Sequence, residues 1–229
     1  MTEAGVVFAG LVVISIGIRA AGLDLAVARR FYDSWRTPPW WGVDRQPWEF
    51  LYRYGSFPGI AAGAVSLVLL VASLFARALR RHRRTCLFLV LVLAIGPGLI
   101  VNGIGKDHWG RPRPRDLIEF GGTQPFVPVG LPVRLGGHAF PSGHASIGFY
   151  WLSLYILWRG RRPRAARVGL AVGLAAGALM GFERVAVGAH FLSDVIWAGG
   201  IVYLTALAAD AALAAGSAPE IRRTGTAAP

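Results

Sequence analysis

The chain has 229 residues, of which 54% are hydrophobic and only 16% are charged. Because soluble domains carry about a quarter charged residues, this composition excludes an ordinary soluble domain and favours an integral membrane protein. The formal net charge of +12 is typical of nucleic-acid-binding proteins. The arginines, however, cluster between apolar segments, as they do at the cytoplasmic ends of membrane helices. We therefore predict that no nucleic acid is a partner.

Six apolar segments each come close to the roughly 20 residues that a helix needs to cross a bilayer. They cover residues 5–25, 57–76, 85–104, 144–158 with its flanks, 166–183 and 193–214. The predicted fold class is therefore an all-α membrane protein, a six-transmembrane-helix bundle. We assign residues 1–215 to this single domain. The small, polar residues 216–229 predict a disordered tail.

Two arginine clusters predict the orientation of the bundle. Five arginines lie within residues 77–84 and five within residues 159–167, and positive charge marks cytoplasmic loops. Placing both clusters in the cytoplasm directs loops 26–56, 105–143 and 184–192 to the outer side. Loop 26–56 also carries five arginines, which counts against this orientation.

The first span and the loop after it are irregular. Arg19 and Asp24 interrupt the apolar run of the span. The loop over residues 26–56 mixes arginines with many aromatic rings, which suits a segment lying in the headgroup layer. It is either a plain interfacial anchor, the interpretation we favour, or a platform that guides a lipid headgroup.

Cations and histidines concentrate in three loops at one predicted membrane face. The first contains Lys106, the only lysine of the chain, and Arg113. The second is Pro-Ser-Gly-His at 141–144, and the third covers 184–194. Phosphoryl transfer needs cations and N–H donors arranged around three equatorial oxygens. Lys106, Arg113 and Arg184 supply such cations.

The second and third loops carry groups for the remaining steps. Ser142 and Gly143 precede a predicted helix, whose first N–H groups favour an anion. His190 and Asp194 are four residues apart, so on a helix they share a face and Asp194 can hold the imidazole in the reactive tautomer. His144 can then protonate the leaving alkoxide. Together these roles predict a two-step reaction through a phosphohistidine that water hydrolyses.

These residues resemble the type 2 phosphatidic acid phosphatase superfamily, whose signature is Lys-x6-Arg-Pro, Pro-Ser-Gly-His and Ser-Arg-x5-His-x3-Asp. The matching positions are Lys106, Arg113, Pro114, residues 141–144, Arg184, His190 and Asp194. Glu183 stands where the signature has serine, which puts the rate and the substrate range in question more than the reaction class.

The resemblance implies that His190 is the nucleophile, His144 the acid and Asp194 the orienting carboxylate. The phosphate binders that it implies are Lys106, Arg113, Ser142, Gly143 and Arg184. It also implies a six-helix bundle with its site at the outer leaflet. We therefore expect a multi-pass protein of the bacterial inner membrane whose active site faces the periplasm or the cell exterior. We expect its partners to be the bilayer and a lipid phosphate, with no obligate protein partner.

The first loop also contains two further arginines and several acidic residues and histidines. Arg111 and Arg115 suit a second phosphate but are equally typical of solvated charges. The acidic residues and histidines of this loop do not have the spacing of a known metal-ligand set. We therefore predict that the protein uses no metal and no other cofactor.

Three function classes stay open at this point. The favoured class is a lipid phosphate or pyrophosphate phosphatase, and the second is a phosphotransferase that uses the same phosphohistidine. The third, a non-catalytic lipid-binding or transport protein, is disfavoured by the intact His144, His190 and Asp194. Candidate substrates are undecaprenyl pyrophosphate, phosphatidylglycerophosphate, phosphatidic acid and lipid A. The stretch 110–122 is similar to bacterial lipid A phosphatases.

Overall fold

The computed structural model describes residues 2–133 and 135–216. These residues form helices and connecting loops and contain no strand, in agreement with the all-α prediction. Five helical segments among them are long and apolar enough to cross a membrane. They are Glu3–Ala20, Trp48–Phe75, Arg77–Gly105, Pro163–Ala186 and Leu192–Ala215. The predicted disordered tail lies, beyond Gly216, outside the described residues.

The regular helices are numbered α1 to α10 in chain order. They are α1 (Glu3–Ala20), α2 (Leu23–Arg29), α3 (Trp48–Tyr54), α4 (Phe57–Phe75), α5 (Arg83–Leu93), α6 (Lys106–Trp109), α7 (Gly143–Phe149), α8 (Leu152–Trp158), α9 (Pro163–Ala186) and α10 (Leu192–Ala215). A 3₁₀ helix over Arg77–His82 leads into α5, and a π-helix over Ala94–Gly105 joins α5 to α6. Pro97 lies inside the π-helix. Proline has no N–H to donate, so a departure from α-helical geometry here has a local cause.

The fourth predicted span, residues 144–158, is divided in the structure. Helices α7 and α8 are separated at Tyr150 and Trp151, and each has seven residues, too few to cross a bilayer alone. Both pack against α9 and α10. The described part of the chain therefore has five helical segments that are candidate membrane spans, and a sixth crossing by α7 and α8 together stays a prediction.

A stripe of glycines on α9 sets how closely these helices approach. The stripe consists of Gly169, Gly173, Gly177 and Gly181. A Cβ added at Gly173 would lie 2.6 Å from the backbone nitrogen of Leu152. Small residues at four-residue intervals allow membrane helices to come into backbone contact. Because α9 runs antiparallel to α7 and α8, this contact brings His144 at the start of α7 close to Arg184 at the end of α9.

The two ends of the bundle differ in character. Lys106, His144 and Arg184 lie at one end, whereas the arginine clusters at 77–84 and 159–167 lie at the other. The π-helix and α5 connect the two ends, because they run from the first cluster to Lys106.

The glycine stripe generates a stability prediction. We expect Gly173→Ala to lower the free energy of unfolding by roughly 1–3 kcal/mol, because an added methyl group overpacks a backbone contact. Gly10→Ala in α1 is the matched control, since nothing lies within 4 Å of a Cβ at that position. Unfolding of both variants in detergent measures the difference. Equal stability of the two variants would contradict the role of the stripe.

Candidate active site

A cavity of about 380 Å³ lies at the end of the bundle where α7 begins and α9 ends. Lys106, Arg113, His144, Arg184 and His190 all line it. The fold therefore brings five of the eight predicted site residues to one cavity from three separate loops. The other three adjoin this lining and are Ser142, Gly143 and Asp194.

His190 is 5% exposed, and its ring orientation is fixed by hydrogen bonding. Its Nδ1 lies 2.5 Å from the carbonyl oxygen of Ala139 and 3.8 Å from Oδ2 of Asp194. A carbonyl oxygen only accepts hydrogen bonds, so Nδ1 carries the proton and Nε2 keeps its lone pair. Burial lowers the pKa of His190, although the Asp194 carboxylate opposes this shift. The neutral, nucleophilic form is thereby favoured near pH 7.

Asp194 joins the second and third loops. Its Oδ2 accepts a hydrogen bond of 2.7 Å from the Phe191 N–H, which caps the start of α10. Its backbone carbonyl accepts one of 3.1 Å from the Ser142 N–H. That N–H, expected from the sequence to be free for an anion, is therefore already engaged. The Ser142 hydroxyl instead is buried and has no hydrogen-bond partner among the described residues.

Gly143 gives the Lys106 ammonium room to approach the start of α7. A Cβ at this position would lie 3.0 Å from Nζ of Lys106 and 2.6 Å from Oδ1 of Asn102. A larger residue would have to displace one of these two side chains. The glycine of the second motif thus leaves the space into which the cation of the first motif extends.

Arg113 and Arg184 hold their charges close together. Nε of Arg113 is buried without a hydrogen-bond partner in the described part of the chain. Burial lowers the pKa of Arg113, and the charges of Arg115 and Arg184 act in the same direction. An anion in the cavity would offset both effects.

Glu183, the residue that departs from the family signature, pairs with Arg184. Its carboxylate accepts hydrogen bonds from Nε and from one terminal nitrogen of the Arg184 guanidinium, the first at 2.5 Å. Glu183 is only 2% exposed, so the pair is largely shielded from water. Glu183 therefore engages one edge of the Arg184 guanidinium.

The aromatic loop forms one wall of the cavity, which sequence reasoning did not predict. The Tyr52 ring lies 5.0 Å from the His144 ring, and the Arg184 guanidinium lies 4.0 Å from the Tyr52 ring centroid. Helix α3, which carries Tyr52, is held against α9 by Trp48, whose ring is 4.9 Å from that of Phe182. The mixture of aromatic and arginine residues in this loop is the available signal. A plain surface anchor, the favoured interpretation, does not account for the place of Tyr52 in the cavity lining.

Arg111 is fully buried and lies behind the site rather than in it. It donates hydrogen bonds to Asp194 Oδ1 at 2.5 Å, to Asp24 Oδ2 at 2.8 Å and to Ser193 Oγ at 2.8 Å. The Val127 carbonyl accepts a fourth, also at 2.8 Å. Both interpretations offered for Arg111, a second-phosphate binder and a solvated charge, are therefore wrong. Asp24, which interrupts the first apolar span, is its buried partner.

Two further histidines of the first loop contact backbone carbonyls. His108 and His138 are exposed, and their Nδ1 atoms lie 2.9 Å and 3.3 Å from backbone carbonyls of Ile104 and Lys106.

Within residues 2–133 and 135–216, no three His, Cys, Asp or Glu residues form a group that could hold a metal ion. Metal-independent chemistry stays a prediction, which a chelator tests.

The three motifs that form this cavity belong to the sequence pattern of a known protein family. The sequence pattern of the PAP2 superfamily matches residues 86–213, a stretch that contains all three motifs. The chain belongs to the PAP2 superfamily. The predicted family and the predicted enzyme class, a phosphatase of membrane lipid phosphates, are confirmed.

Several relatives of this PAP2 protein are informative. It is 33% identical over 189 residues to the lipid A 4'-phosphatase of Francisella tularensis subsp. novicida. The alignment covers 80% of this chain and 82% of that protein. It is 40% identical over 125 residues to the lipid A 4'-phosphatase of Rhizobium etli, which covers 51% and 46% of the two chains.

A solved structure shows the same fold. It is the crystal structure of a transmembrane PAP2 type phosphatidylglycerolphosphate phosphatase from Bacillus subtilis, and the TM-score is 0.56 at 18% identity. The match covers 98% of this chain and 100% of the other. At this identity the likeness concerns the arrangement of helices alone.

The Arg111 network predicts a large loss of stability. Arg111→Met removes the shared cation and leaves the Asp24 and Asp194 carboxylates buried side by side, which we expect to cost roughly 3–5 kcal/mol of unfolding free energy. Unfolding in detergent measures this loss. Arg115→Met, which removes an exposed arginine of the same loop, serves as the control and should unfold like the wild type. Similar stability of the two variants would show that Arg111 is not a structural residue of this PAP2 fold.

The position of Tyr52 predicts an effect on rate rather than on folding. Tyr52→Leu removes the ring that lies against His144 and Arg184, and we expect kcat/KM for lipid phosphate hydrolysis to fall by roughly tenfold, as for the loss of a cation–π contact. Tyr52→Phe keeps the ring and should retain most of the activity. If Tyr52→Phe loses as much as Tyr52→Leu, the hydroxyl and not the ring is what matters.

Proposed function

We propose that this PAP2 protein hydrolyses a phosphate monoester on the sugar headgroup of a lipid of the lipid A class. The observation that carries the proposal is the 33% identity to a lipid A 4'-phosphatase over 80% of the chain. The cavity supports the proposal. One part of its lining gathers cations that suit a phosphate, and another part carries carboxylates as well as arginines.

That second part is the wall formed by residues 42–53. Asp44, Glu49 and Arg53 line it, and Arg115 faces the same cavity from the first loop. Glu49 and Arg53 pair with each other at 2.5 Å. Their remaining hydrogen-bonding positions, together with those of Asp44 and Arg115, suit the hydroxyl and amide groups of a sugar. A phosphate esterified to a glycerol would leave more of this wall unused.

In the first step, Nε2 of His190 attacks the phosphorus atom and the bond from phosphorus to the sugar oxygen breaks. The proposed phosphate binders, Lys106, Arg113, Ser142, Gly143 and Arg184, surround the charge that spreads over the equatorial oxygens. Burial and the nearby cationic side chains lower the pKa of His144 to about 4, so His144 takes up its proton when the phosphate brings negative charge into the cavity. It then gives this proton to the leaving sugar oxygen. The products are the dephosphorylated lipid and a phosphohistidine.

In the second step, water attacks the phosphohistidine while the now neutral His144 accepts a proton from it. The nitrogen–phosphorus bond breaks, inorganic phosphate leaves, and both histidines return to their starting states. Asp194 stabilises the positive charge on the phosphorylated ring, since its Oδ2 is 3.8 Å from Nδ1. No metal takes part in this scheme.

We also propose how the domain sits in its membrane. Helices α7 and α8 together form the sixth crossing, packed against α9 and α10 and also touching α4 and α5, and residues 1–215 form one domain. The arginine-rich end lies in the cytoplasm, as positive charge favours, so the cavity faces the periplasmic side of a bacterial inner membrane.

The test uses the purified full chain in detergent with EDTA present. We expect the wild type to release phosphate from lipid A faster than from phosphatidylglycerophosphate, phosphatidic acid or undecaprenyl pyrophosphate. His190→Gln should release none, because it lacks the nucleophile. His138→Gln, which changes an exposed histidine outside the cavity, is the matched control and should behave like the wild type.

Two results would change the proposal. Equal release by wild type and His190→Gln would rule out the phosphohistidine. A wild type whose His190 is labelled from radiolabelled lipid, but which passes the label to an added lipid acceptor and releases no inorganic phosphate, would identify a phosphotransferase. Labelled protein should be quenched in alkali, because a phosphohistidine is lost in acid.

A further inference from the structure

A second cavity lies at the arginine-rich end of the bundle, opposite the active site. Its volume is about 350 Å³, and it is formed by the start of α5, the turn after α8 and the end of α10. Four arginines line it, and they are Arg81, Arg84, Arg159 and Arg161. None of them has a role in the reaction proposed above.

Acidic residues balance only part of this charge. Asp210 is the one carboxylate in the lining, and it lies 3.8 Å from Arg84 and 3.7 Å from Arg159. These separations exceed a hydrogen bond, so Asp210 does not saturate either guanidinium. Arg159 also pairs at 2.6 Å with Glu3, which lies outside the lining. Arg81 and Arg161 have no salt bridge within the described residues, so the cavity keeps a positive excess.

The rest of the lining is apolar. Phe88 and Ile156 are buried, and Leu157 and Leu213 complete the apolar surface. A site for a small, fully hydrated anion has no need for such a surface. Guanidinium groups beside apolar side chains match an amphiphile, whose phosphate meets the charges while its chain meets the apolar part.

We propose that this cavity binds the headgroup of an anionic phospholipid from the leaflet at the arginine-rich end. The phosphodiester contacts the guanidinium groups, and the first part of an acyl chain covers the apolar lining. The bound lipid links α5, α8 and α10 at the end where they carry no catalytic residue. The proposal is independent of which lipid phosphate the active site hydrolyses.

The alternative is that these arginines only set the orientation of the protein, as the cluster as a whole does. The chain offers a matched control for this alternative. Arg164 and Arg167 are exposed arginines near the start of α9 at the same end, and neither lines the cavity. Replacing them removes the same charge without touching the proposed site.

The experiment titrates detergent-purified full chain with phosphatidylglycerol and follows binding by native mass spectrometry. The site variant is Arg84→Gln with Arg161→Gln, and the control variant is Arg164→Gln with Arg167→Gln. An arginine near an anionic lipid contributes roughly fivefold to affinity. We therefore expect binding to the site variant to be about 25-fold weaker than to the wild type, while the control variant binds nearly as tightly as the wild type.

Lipid that enters the active site affects all three proteins equally, so the comparison isolates the second cavity. We expect kcat to be the same in all three, and unfolding temperatures without lipid to match. Equal weakening in both variants would overturn the proposal in favour of a general charge effect. Displacement of the lipid by millimolar inorganic phosphate, or equally tight binding of phosphatidylcholine, would overturn the assignment to an anionic lipid.

Discussion

The structure depends on one buried ion pair network, in which Arg111 is held between Asp24 and Asp194. Burying three charges is unfavourable unless each is paired and hydrogen-bonded, and here hydrogen bonds from Ser193 to Asp24, at 2.6 Å and 2.9 Å, help to complete the set. The network ties α2 and the first motif loop to the start of α10. Because it contains two carboxylates and one guanidinium, it presents excess negative charge behind His190, where a phosphorylated imidazole would be positive.

The front of the site has the opposite electrostatic problem. Lys106, Arg113 and Arg184 repel one another in the absence of a phosphate, and such repulsion opposes folding. Glu183 and Tyr52 reduce it, the first by pairing with Arg184 and the second by placing its ring face beneath the guanidinium. The glutamate that replaces the serine of the family signature is thus a charge partner of Arg184. If Arg184 binds phosphate as proposed, Glu183 competes with the phosphate for it.

The sequence alone predicted those features whose signal is local. Hydropathy predicted six spans, and five of them appear as long helical segments in the described residues. Motif spacing predicted eight site residues, five of which line one cavity. The break between α7 and α8 was not predicted, because their short apolar run is stabilised by α9 and α10 rather than by its own pattern. The pairing of Arg111 with Asp24 was also missed, since 87 residues separate them and nothing in either segment indicates the other. The same holds for Tyr52, which reaches His144 only through the packing of Trp48 on Phe182.

In the proposed reaction, the groups for chemistry and most of those for substrate choice come from different parts of this chain. The family pattern covers residues 86–213 and contains the histidines and the proposed phosphate-binding cations. The wall over residues 42–53 lies outside that stretch, yet it lines the same cavity. A phosphate looks alike on every lipid, so residues that contact only phosphate cannot distinguish one headgroup from another. Discrimination requires contacts beyond the phosphate, and in this protein the carboxylates and arginine of that wall are in a position to make them.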